Sequence, residues 1–363
     1  MKLTNLKLKN FRNIQELNLD FEKDKTLIIG KNAQGKTNIL ESIYLLSTLK
    51  SQRTYITNDF LKFGQYFFSV EASVKKNTDI ELGLYLKNGK KELKTNNLKV
   101  NPQEFKTVLK TVLFSSQDLM LLRGSPENRR NWLDLAILQI YPTYSERLLK
   151  YNKIRFQKNN FLKNYDGNKT LLDVYNEQLA ILGSNIIFVR KKFLKEIEEI
   201  TRKKHLKISS NEDLIIKYNC SFLEDEDYSS EVILEKYKQK QLERIELEII
   251  KRQTMVGPHK DDINFLINNN DATKFASQGQ QRTVVLALKL AELDIISDKI
   301  GENPVLLLDD VLAELDEVRQ NYLLKTIDKG IQTIITSVDT ILFDDKFLKD
   351  VQIFKISEGN LVN

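Results

Sequence analysis

A run of residues from Gly30 to Thr37 has the types and spacing of a phosphate-binding loop. Two glycines, Gly30 and Gly35, bracket four residues, and Lys36 and Thr37 follow. Glycines let a backbone wrap closely around phosphate oxygens and direct its amides inward. The lysine of such a loop reaches the β and γ phosphates, and the hydroxyl that follows it can ligate Mg²⁺. The predicted nucleotide-binding residues are Gly30, Lys31, Asn32, Ala33, Gln34, Gly35, Lys36 and Thr37.

The segments on both sides of the loop have the periodicity that this chemistry requires. Leu27 to Ile29 is a short apolar run typical of a buried strand, and residues 38–49 have helical periodicity. A helix that begins at the loop adds the partial positive charge of its N-terminus to the phosphate site. A flexible strand-to-helix turn is the alternative, and the two flanks together disfavour it. We therefore predict binding of ATP with Mg²⁺.

A second chemical pattern is an apolar run that ends in two carboxylates, Asp309 and Asp310. In a phosphate-loop ATPase the first acid can hold the magnesium shell, and the second can orient or deprotonate the attacking water. The alternative is a strand followed by an acidic helix cap. The presence of the phosphate loop favours the catalytic interpretation, in which Lys36 and Asp310 are catalytic and Thr37 and Asp309 bind the metal.

A third pattern begins a helix some thirty residues before these acids. It consists of Ser277, Gln278, Gly279, Gln280 and Gln281. A serine, a glycine and free helix amides suit a phosphate that a different loop already holds. Only a second subunit can supply that other loop, so the motif predicts a head-to-tail dimer with ATP between the subunits.

The order of the elements indicates an α/β fold whose nucleotide-binding sheet is split in sequence. Strand patterns fill residues 1–125, long helical periodicity fills 126–254, and strand patterns return in 255–363. We expect an N-terminal lobe and a C-terminal lobe of one head, with a mainly helical arm inserted between them. Strands are predicted at 3–8, 17–21, 27–29, 66–74, 80–86, 112–114, 263–267, 304–310, 332–336 and 351–356, and helices at 38–49, 144–162, 175–200, 231–253 and 278–297.

Composition sets broad limits on function. The 363 residues are 41% apolar and 29% charged, as in ordinary globular chains that bury a large core. A formal net charge of +6 tolerates a nucleic-acid partner without demonstrating one. The single cysteine, Cys220, excludes a disulfide framework and a cysteine-rich zinc site. No apolar run approaches membrane-spanning length and the first residues lack a signal-peptide core, so we expect a cytoplasmic protein without a membrane partner.

Strings along nearly the whole chain resemble the ABC-type ATPases of the SMC group, and within that group the RecF family of bacterial DNA replication and repair proteins. Besides the phosphate loop, they are residues 8–13, 50–54, 114–119, 124–130, 256–262, 277–281 and 309–316. The string Gly-Pro-His-Lys-Asp-Asp and the string Gly-Ser-Pro-x-x-Arg-Arg are much more specific than the phosphate loop, which many ATPases share.

The resemblance implies an ABC-type ATPase head and roles for further residues. Gln117 would sense the magnesium ion and the water, Ser277 and Gly279 would contact the partner's ATP, and Asp316 would lie on the dimer seam. The resemblance also implies an ATP-dependent homodimer that binds DNA at single-strand/double-strand junctions. With RecO and RecR it would favour RecA loading in recombinational gap repair and the SOS response. Weak, DNA-stimulated ATP hydrolysis would reset it.

The chain departs from the family pattern at three places. Ala33 replaces a glycine, which is tolerable if that position does not need a positive φ angle. Ser116 and Gln117 stand where a proline and an acid are more common. No histidine follows the strand at 332–336, so Thr336 or Ser337 must serve as the switch residue. We interpret the missing histidine as consistent with slow hydrolysis.

Basic residues of the first lobe are candidate DNA contacts. Phosphate contacts need only clustered positive charge, and two lysine pairs lie at predicted hairpin turns. The alternative is that these are solvated turns rich in lysine. The candidates are Arg53, Lys75, Lys76, Lys90 and Lys91.

Three residues of the two specific strings have no role in this scheme. A lone histidine in a Gly-Pro turn is more often structural, so we assign no chemistry to His259. Arg129 and Arg130 could pair within the core of the inserted region or take part in signalling, and the sequence favours neither.

An alternative function is a structural DNA-binding module whose ATP site binds ATP without hydrolysing it. The joint presence of Lys36, Thr37, Asp309 and Asp310 favours an active ATPase instead. The ATP-binding subunit of a transporter is disfavoured, because that class carries a Leu-Ser-Gly-Gly-Gln motif and a switch histidine.

Overall fold

The computed structural model describes residues 1–54, 56–209, 211–224, 229–327 and 330–362. The chain divides into two compact units, one made of residues 1–118 and 285–363 and the other of residues 119–284. The first unit, the head unit, therefore comes from both ends of the chain, and the second, the inserted unit, from its middle. The division at 118 and 285 differs from the predicted domain boundaries, because residues 119–125 and 255–284 pack with the inserted unit.

The N-terminal part of the head unit is rich in strands, as the alternation of apolar and polar residues predicts. Its strands are β1 (Lys2–Phe11), β2 (Ile14–Asp20), β3 (Lys25–Ile29), β4 (Phe67–Lys75), β5 (Asp79–Lys87), β6 (Lys90–Thr95), β7 (Leu98–Lys99) and β8 (Thr111–Ser115). Its helices are α1 (Lys36–Thr48) and α2 (Pro102–Val108), and 3₁₀ turns lie at Thr57–Phe60 and Ser116–Leu119.

The inserted unit contains the long helices that the sequence predicts at 144–162, 175–200 and 231–253, and one at 126–140 that it does not. In chain order its elements are α3 (Met120–Arg123), α4 (Pro126–Ile140), α5 (Pro142–Lys163), α6 (Lys169–Ser209), β9 (Leu214–Asn219), α7 (Ser230–Lys251), β10 (Asp262–Ile267), β11 (Asn270–Asp271), α8 (Ala272–Phe275) and the start of α9 (Gln278–Ile300). Strands β9, β10 and β11 form a small antiparallel sheet, of which the sequence predicts only β10.

The C-terminal part of the head unit returns to alternating strands and helices. After α9 it contains β12 (Val305–Asp309), a 3₁₀ turn at Leu312–Glu314, α10 (Glu317–Ile327), β13 (Thr333–Ser337), α11 (Asp345–Lys349), β14 (Val351–Ser357) and β15 (Asn360–Val362). The strands predicted in this part are confirmed to within a residue or two.

Two sheets share the hydrophobic core of the head unit. One has the order β2-β1-β4-β5-β6-β7 with antiparallel pairing. The other has the order β15-β14-β3-β13-β12-β8 and is parallel from β14 to β8. Helix α1 contacts strands of both sheets and is buried along most of its length. Because α1 directly follows the phosphate-loop sequence, this packing holds the loop against the core.

The length and apolar character of the described helices decide whether any of them could cross a membrane. None of them combines the length and the apolar character needed to cross a bilayer.

Candidate nucleotide site

The phosphate-loop sequence lies at the carboxyl edge of the parallel sheet. Strand β3 ends at Ile29, and its neighbours β13 and β12 end at Ser337 and Asp309 in parallel register. The carboxyl ends of parallel strands meet at one edge, where open α/β sheets bind their ligands. A cavity of about 510 Å³ opens there. Among the residues that line it are Gln34, Lys36, Thr37, Gln117, Asp309 and Asp310.

The first glycine of the loop is required by a close approach of the backbone. A Cβ atom at position 30 would lie 2.3 Å from the carbonyl oxygen of Ile356 in β14. That separation is far below any real contact, so only glycine fits here. The ammonium group of Lys36 donates hydrogen bonds to the carbonyl oxygens of Gly30 at 2.7 Å and Lys31 at 3.2 Å. The loop thus encloses its lysine, whose side chain is buried.

An alanine at position 33 is tolerable only if this position does not need a positive φ angle, and the structure does not meet that condition. The φ angle of Ala33 is +66°, in the left-handed region that favours glycine. The loop conformation requires a positive φ at this position, and the Cβ of alanine raises the energy of that conformation.

The two acids after β12 are joined to the loop by hydroxyl groups. The Thr37 hydroxyl donates to Asp309 Oδ1 at 2.9 Å, across 272 residues of sequence. The Thr336 hydroxyl at the end of β13 donates to the same oxygen at 2.9 Å and accepts the backbone amide of Asp310 at 2.9 Å. Of the two candidate switch residues, Thr336 is therefore the one that the structure bonds to both acids.

The donor set at Asp309 fits a magnesium ion. Burial raises the pKa of its carboxyl group, and the hydrogen bonds from Thr336 and Thr37 oppose that rise. A carboxylate and a hydroxyl oxygen converge at one side of the cavity, and Mg²⁺ prefers such oxygens together with substrate phosphates. Asp310, with a φ angle of +53°, lines the same cavity.

Gln117 is exposed on the cavity wall, in the 3₁₀ turn that follows β8. Its neighbour Asp118 is buried, accepts the Ser115 backbone amide at 2.7 Å and lies 3.8 Å from the Lys289 ammonium. These contacts fix the turn that presents Gln117. A second glutamine, Gln52, also lines the cavity and accepts the Ser115 hydroxyl at 3.0 Å. The sequence pattern does not single out Gln52, whose only signal is its position in the string 50–54.

Arg53, one of the candidate DNA contacts, lines the wall of the cavity. The two candidate lysine pairs do not line it. The Arg53 guanidinium donates to Asn38 Oδ1 at 2.7 Å and to Glu41 Oε2 at 3.2 Å. Glu41 is buried on α1 and also accepts Arg12 in a bidentate pair. The structure thus brings Arg53 to the nucleotide site, and its role in DNA binding stays a prediction.

The two lysine pairs lie at opposite ends of β5. Lys75 is opposite Asp79 at the start of this strand, and Lys90 is opposite Lys87 at its end. Four lysines around α2 lie between these two ends of β5, and we call them the lysine row. They are Lys76, Lys91, Lys106 and Lys110.

The lysines of the row differ in exposure, since Lys110 is buried, Lys76 and Lys106 are half-buried and Lys91 is exposed. Burial, and then Lys76 and Lys106, lower the pKa of Lys110 to about 8. Burial and Lys106 also lower the pKa of Lys91. The repulsion between these lysines means that an anion bound near them would stabilise their charged forms.

Ser277 starts α9 with a reciprocal cap. Its hydroxyl accepts the backbone amide of Gln280 at 3.2 Å, and the Gln280 side chain accepts the Ser277 amide at 2.8 Å. This is a capping box, which satisfies part of the helix start within the chain. Our premise that the amides of this helix start lack a protein partner is therefore wrong for the Gln280 amide.

The other residues assigned to the partner's site also bond locally. The Gly279 carbonyl accepts the Thr283 hydroxyl at 3.0 Å within α9. The Asp316 carboxylate accepts the Arg319 backbone amide at 3.0 Å and forms an ion pair with the Arg319 side chain.

The two specific strings meet in the inserted unit. Arg129 is buried and forms a bidentate ion pair with Asp262 at 2.6 and 2.9 Å, while its third nitrogen donates to Leu121 and Gly124 carbonyls. This bonding supports the structural interpretation of Arg129. Gly257 has a φ of +129°, and a Cβ atom there would lie 2.2 Å from the Tyr237 hydroxyl oxygen, so the Gly-Pro-His turn also needs its glycine.

Comparison with known proteins gives concordant results. The model of the RecF/RecN/SMC N terminal domain family matches residues 2–359. The DNA replication and repair protein RecF of Natranaerobius thermophilus is 42% identical over all of this chain and 98% of its own length. RecF of Bacillus subtilis is 37% identical, with full coverage of both chains.

Solved structures agree with the sequence relatives. One described as the recombination mediator protein RecF with ATP in the RecFOR pathway superposes with a TM-score of 0.92 at 36% identity, covering 99% of this chain and 96% of its own. An Smc head domain of Pyrococcus furiosus has a TM-score of 0.56 at 14% identity, over 99% and 95% of the two chains, which shows a shared fold. The predicted fold class is confirmed.

The strain at Ala33 generates a prediction. Ala33→Gly should raise the free energy of unfolding by up to about 1 kcal/mol, because glycine adopts a positive φ without the clash of a Cβ atom. Ala313→Gly is the matched control, since Ala313 is an exposed alanine of a 3₁₀ turn with no positive φ. The control should lose about 0.5–1 kcal/mol. Urea denaturation measures both, and equal losses in the two variants would contradict the strain at position 33.

Proposed function

The chain belongs to the RecF/RecN/SMC family, and within it to the RecF proteins, and from this premise we propose that it is an ATP-dependent DNA-binding protein of replication and repair. The observation that carries the proposal is the hydrogen bond between Thr37 and Asp309. It joins the phosphate loop to the first acid of the β12 end, so the two halves of an ATPase site meet in one cavity.

Each of the functional residues that line the cavity would have a separate role in ATP hydrolysis. Lys36 would transfer its hydrogen bonds from the loop carbonyls to the β and γ phosphates. Thr37 and Asp309 would hold Mg²⁺, which supplies charge neutralisation at the phosphates when bound. Asp310 would orient and deprotonate the attacking water, and Thr336 would position both acids through its hydroxyl. Gln117 would contact the water and the metal from the 3₁₀ turn that follows β8 at the same edge of the sheet.

The nucleotide would also be part of an interface between two copies of the chain. Ser277 and Gly279 begin a long helix, whose N-terminal partial charge favours an anion. We propose that they contact ATP held by the partner's phosphate loop, with Asp316 at the seam. ATP binding would then close a dimer and hydrolysis would reopen it.

Support for the DNA partner comes from the lysine row and from the relatives. Clustered lysines that repel one another are suited to the phosphates of a duplex. The relatives carry the name DNA replication and repair protein, and the RecF structure with ATP is described as part of the RecFOR pathway. We propose that this chain acts likewise at single-strand/double-strand junctions with RecO and RecR to favour RecA loading.

Two substitutions separate ATP binding from turnover. Asp310→Asn should keep ATP binding within about threefold while lowering turnover by about 10²–10⁴-fold, because the base is lost and the metal ligand remains. Lys36→Met should weaken ATP binding at least tenfold, since the charge that contacts the phosphates is removed. Fluorescent-nucleotide titration and phosphate release measure the two quantities. A parent protein that binds ATP and never hydrolyses it would instead support the structural DNA-binding module.

The shared site predicts a specific pattern in mixed dimers. Ser277→Arg should leave ATP binding to single chains intact and block dimerisation, because the bulky side chain displaces the partner's phosphate. A mixture with Lys36→Met should recover part of it, since one of the two sites in a mixed dimer carries both lesions and the other carries neither. Light scattering with ATP measures the dimer. Normal dimerisation of Ser277→Arg alone would exclude the shared site.

The lysine row predicts how DNA binding depends on salt and pH. Replacing Lys91 and Lys106 with methionine should reduce the slope of log affinity against log salt by about 0.9 for each DNA phosphate that is no longer neutralised, equally for all sequences. Affinity of the parent should fall as the pH rises through about 8, because Lys110 loses its charge there. The exposed Lys325 of α10 provides the control, Lys325→Met. Fluorescence anisotropy measures the slope of log affinity against log salt. An unchanged slope in the double variant would show that DNA does not bind at the lysine row.

A further inference from the structure

The inserted unit contains a cavity that the ATPase chemistry does not use. Its volume is about 440 Å³, and it is lined by side chains of α4, α5 and α6 and by the turn at Pro258 and His259. The two specific strings of the sequence therefore meet at its walls. Its charged and titratable lining residues are Glu127, Arg130, Asp134, Tyr151, Arg155, Arg190 and His259.

One pair of opposite charges in this cavity is already neutralised. Arg190 of α6 forms a bidentate ion pair with Asp134 of α4, at 2.9 Å for both bonds. Its remaining nitrogen donates to the Pro258 carbonyl at 2.6 Å. Tyr144 donates its hydroxyl to the same aspartate at 2.6 Å. These groups are buried and mutually satisfied, so they form a fixed floor with no net charge.

The histidine of the Gly-Pro-His turn contributes no charge either. Its Nε2 lies 3.1 Å from the Thr254 carbonyl, which can only accept, so Nε2 carries the proton. Nδ1 then accepts the Tyr151 hydroxyl at 2.7 Å. Burial, followed by the nearby Arg155, lowers the pKa of His259 to about 3, so the ring is neutral at physiological pH.

Within the described parts of the chain, two guanidinium groups of the lining form no ion pair with a carboxylate. Arg130 donates to the Asp261 backbone carbonyl at 2.6 Å, which neutralises no charge. Within the described parts of the chain, the Arg155 guanidinium makes no hydrogen bond or ion pair, although it is half-buried in the wall.

The acids near these two arginines do not offset them fully. Glu127 is exposed in the first turn of α4. The carboxyl group of Asp261 is buried, accepts the Tyr218 hydroxyl at 2.6 Å and is not among the residues that line the cavity. Burial raises its pKa to about 6, so it is mostly ionised at physiological pH. Apart from the Arg190–Asp134 pair, the residues that line the cavity therefore carry two guanidinium groups against the single carboxylate of Glu127.

We propose that this cavity binds a small anion with a diphosphate group through Arg130 and Arg155. A guanidinium group presents a planar fork of donors that matches phosphate oxygens. Two such forks match the two phosphates of a diphosphate better than a single carboxylate. The volume is in the range of small-molecule sites, and a concave site of this size excludes the rod of a DNA duplex. The ligand is either inorganic pyrophosphate or a nucleoside diphosphate, which share this chemistry.

Calorimetric titration of the full chain tests the site apart from the phosphate loop. Every protein carries Lys36→Met, so that the loop site is disabled. Pyrophosphate should bind to this background and lose at least tenfold in affinity when Arg155→Gln is added. Arg147→Gln, an exposed arginine of the same helix α5 outside the cavity, is the matched control and should change affinity less than twofold. Arg155→Lys should recover part of the affinity, since it keeps the charge and loses the fork.

Separate titrations with pyrophosphate and with ADP distinguish the two possible ligands. Saturable binding of ADP tighter than that of pyrophosphate would identify a nucleoside diphosphate, and the reverse would identify the inorganic ion. The inference is overturned if pyrophosphate and ADP give no saturable heat, or if Arg155→Gln binds them as Arg147→Gln does. Saturable binding of a glutamate-rich peptide, with neither diphosphate binding, would also overturn it. Thermal melting verifies that Arg155→Gln is folded, as expected for a side chain without bonds to the core.

Discussion

The structure of the nucleotide site depends on one oxygen atom, Asp309 Oδ1. It accepts the hydroxyls of Thr37 and Thr336, so it ties together the residue after the phosphate loop and the end of β13. Residues from opposite ends of the chain meet at this atom. The burial that raises the pKa of this carboxyl opposes ionisation, while the two hydroxyl hydrogen bonds favour it. A metal ion at this position would favour the ionised form further.

This arrangement requires the parallel sheet to bring together distant segments of the chain. Strands β3, β13, β12 and β8 lie side by side in register, and each delivers its functional residues at the carboxyl end. A shift of one residue in any of these strands would turn its side chains to the opposite face. Strands β12 and β13 are buried along nearly their whole length, so such a shift would also disrupt their packing in the core. The accuracy of the site therefore derives from core packing more than from the loop sequence.

The site was predictable from sequence where its chemistry is local. The phosphate loop is a contiguous string, and the acids directly follow an apolar run. The sequence could not show that position 33 requires a positive φ, since that angle depends on how the loop closes against the core. It could not place Arg53 either, because the contacts of Arg53 with Asn38 and Glu41 arise from the packing of α1.

The fold shows the same division between local and non-local information. The long helices α5, α6, α7 and α9 were predicted, α6 from a clear apolar stripe, as was β10 from its strand-like alternation. Helix α4 was not predicted. Strand β9 was missed because Leu214–Asn219 acquires its role only by pairing with β10, which lies beyond α7 in the chain. The cap at Ser277 was missed for a different reason. The same residues, a serine with a glutamine three positions later, serve equally well as an internal cap or as a phosphate contact.

The most specific strings of the sequence turn out to be rich in packing constraints. Arg129 and Asp262 belong to different strings and neutralise each other in a buried bidentate pair. Losing either partner would leave an uncompensated charge in the interior, which is far more costly than removing both. Gly257 is constrained by two tyrosine hydroxyls that leave no room for a Cβ atom. Such strings identify a family because several residues must be kept together. Arg155 contrasts with these residues, since its guanidinium makes no hydrogen bond or ion pair within the described parts of the chain and is half-buried in the wall of the cavity.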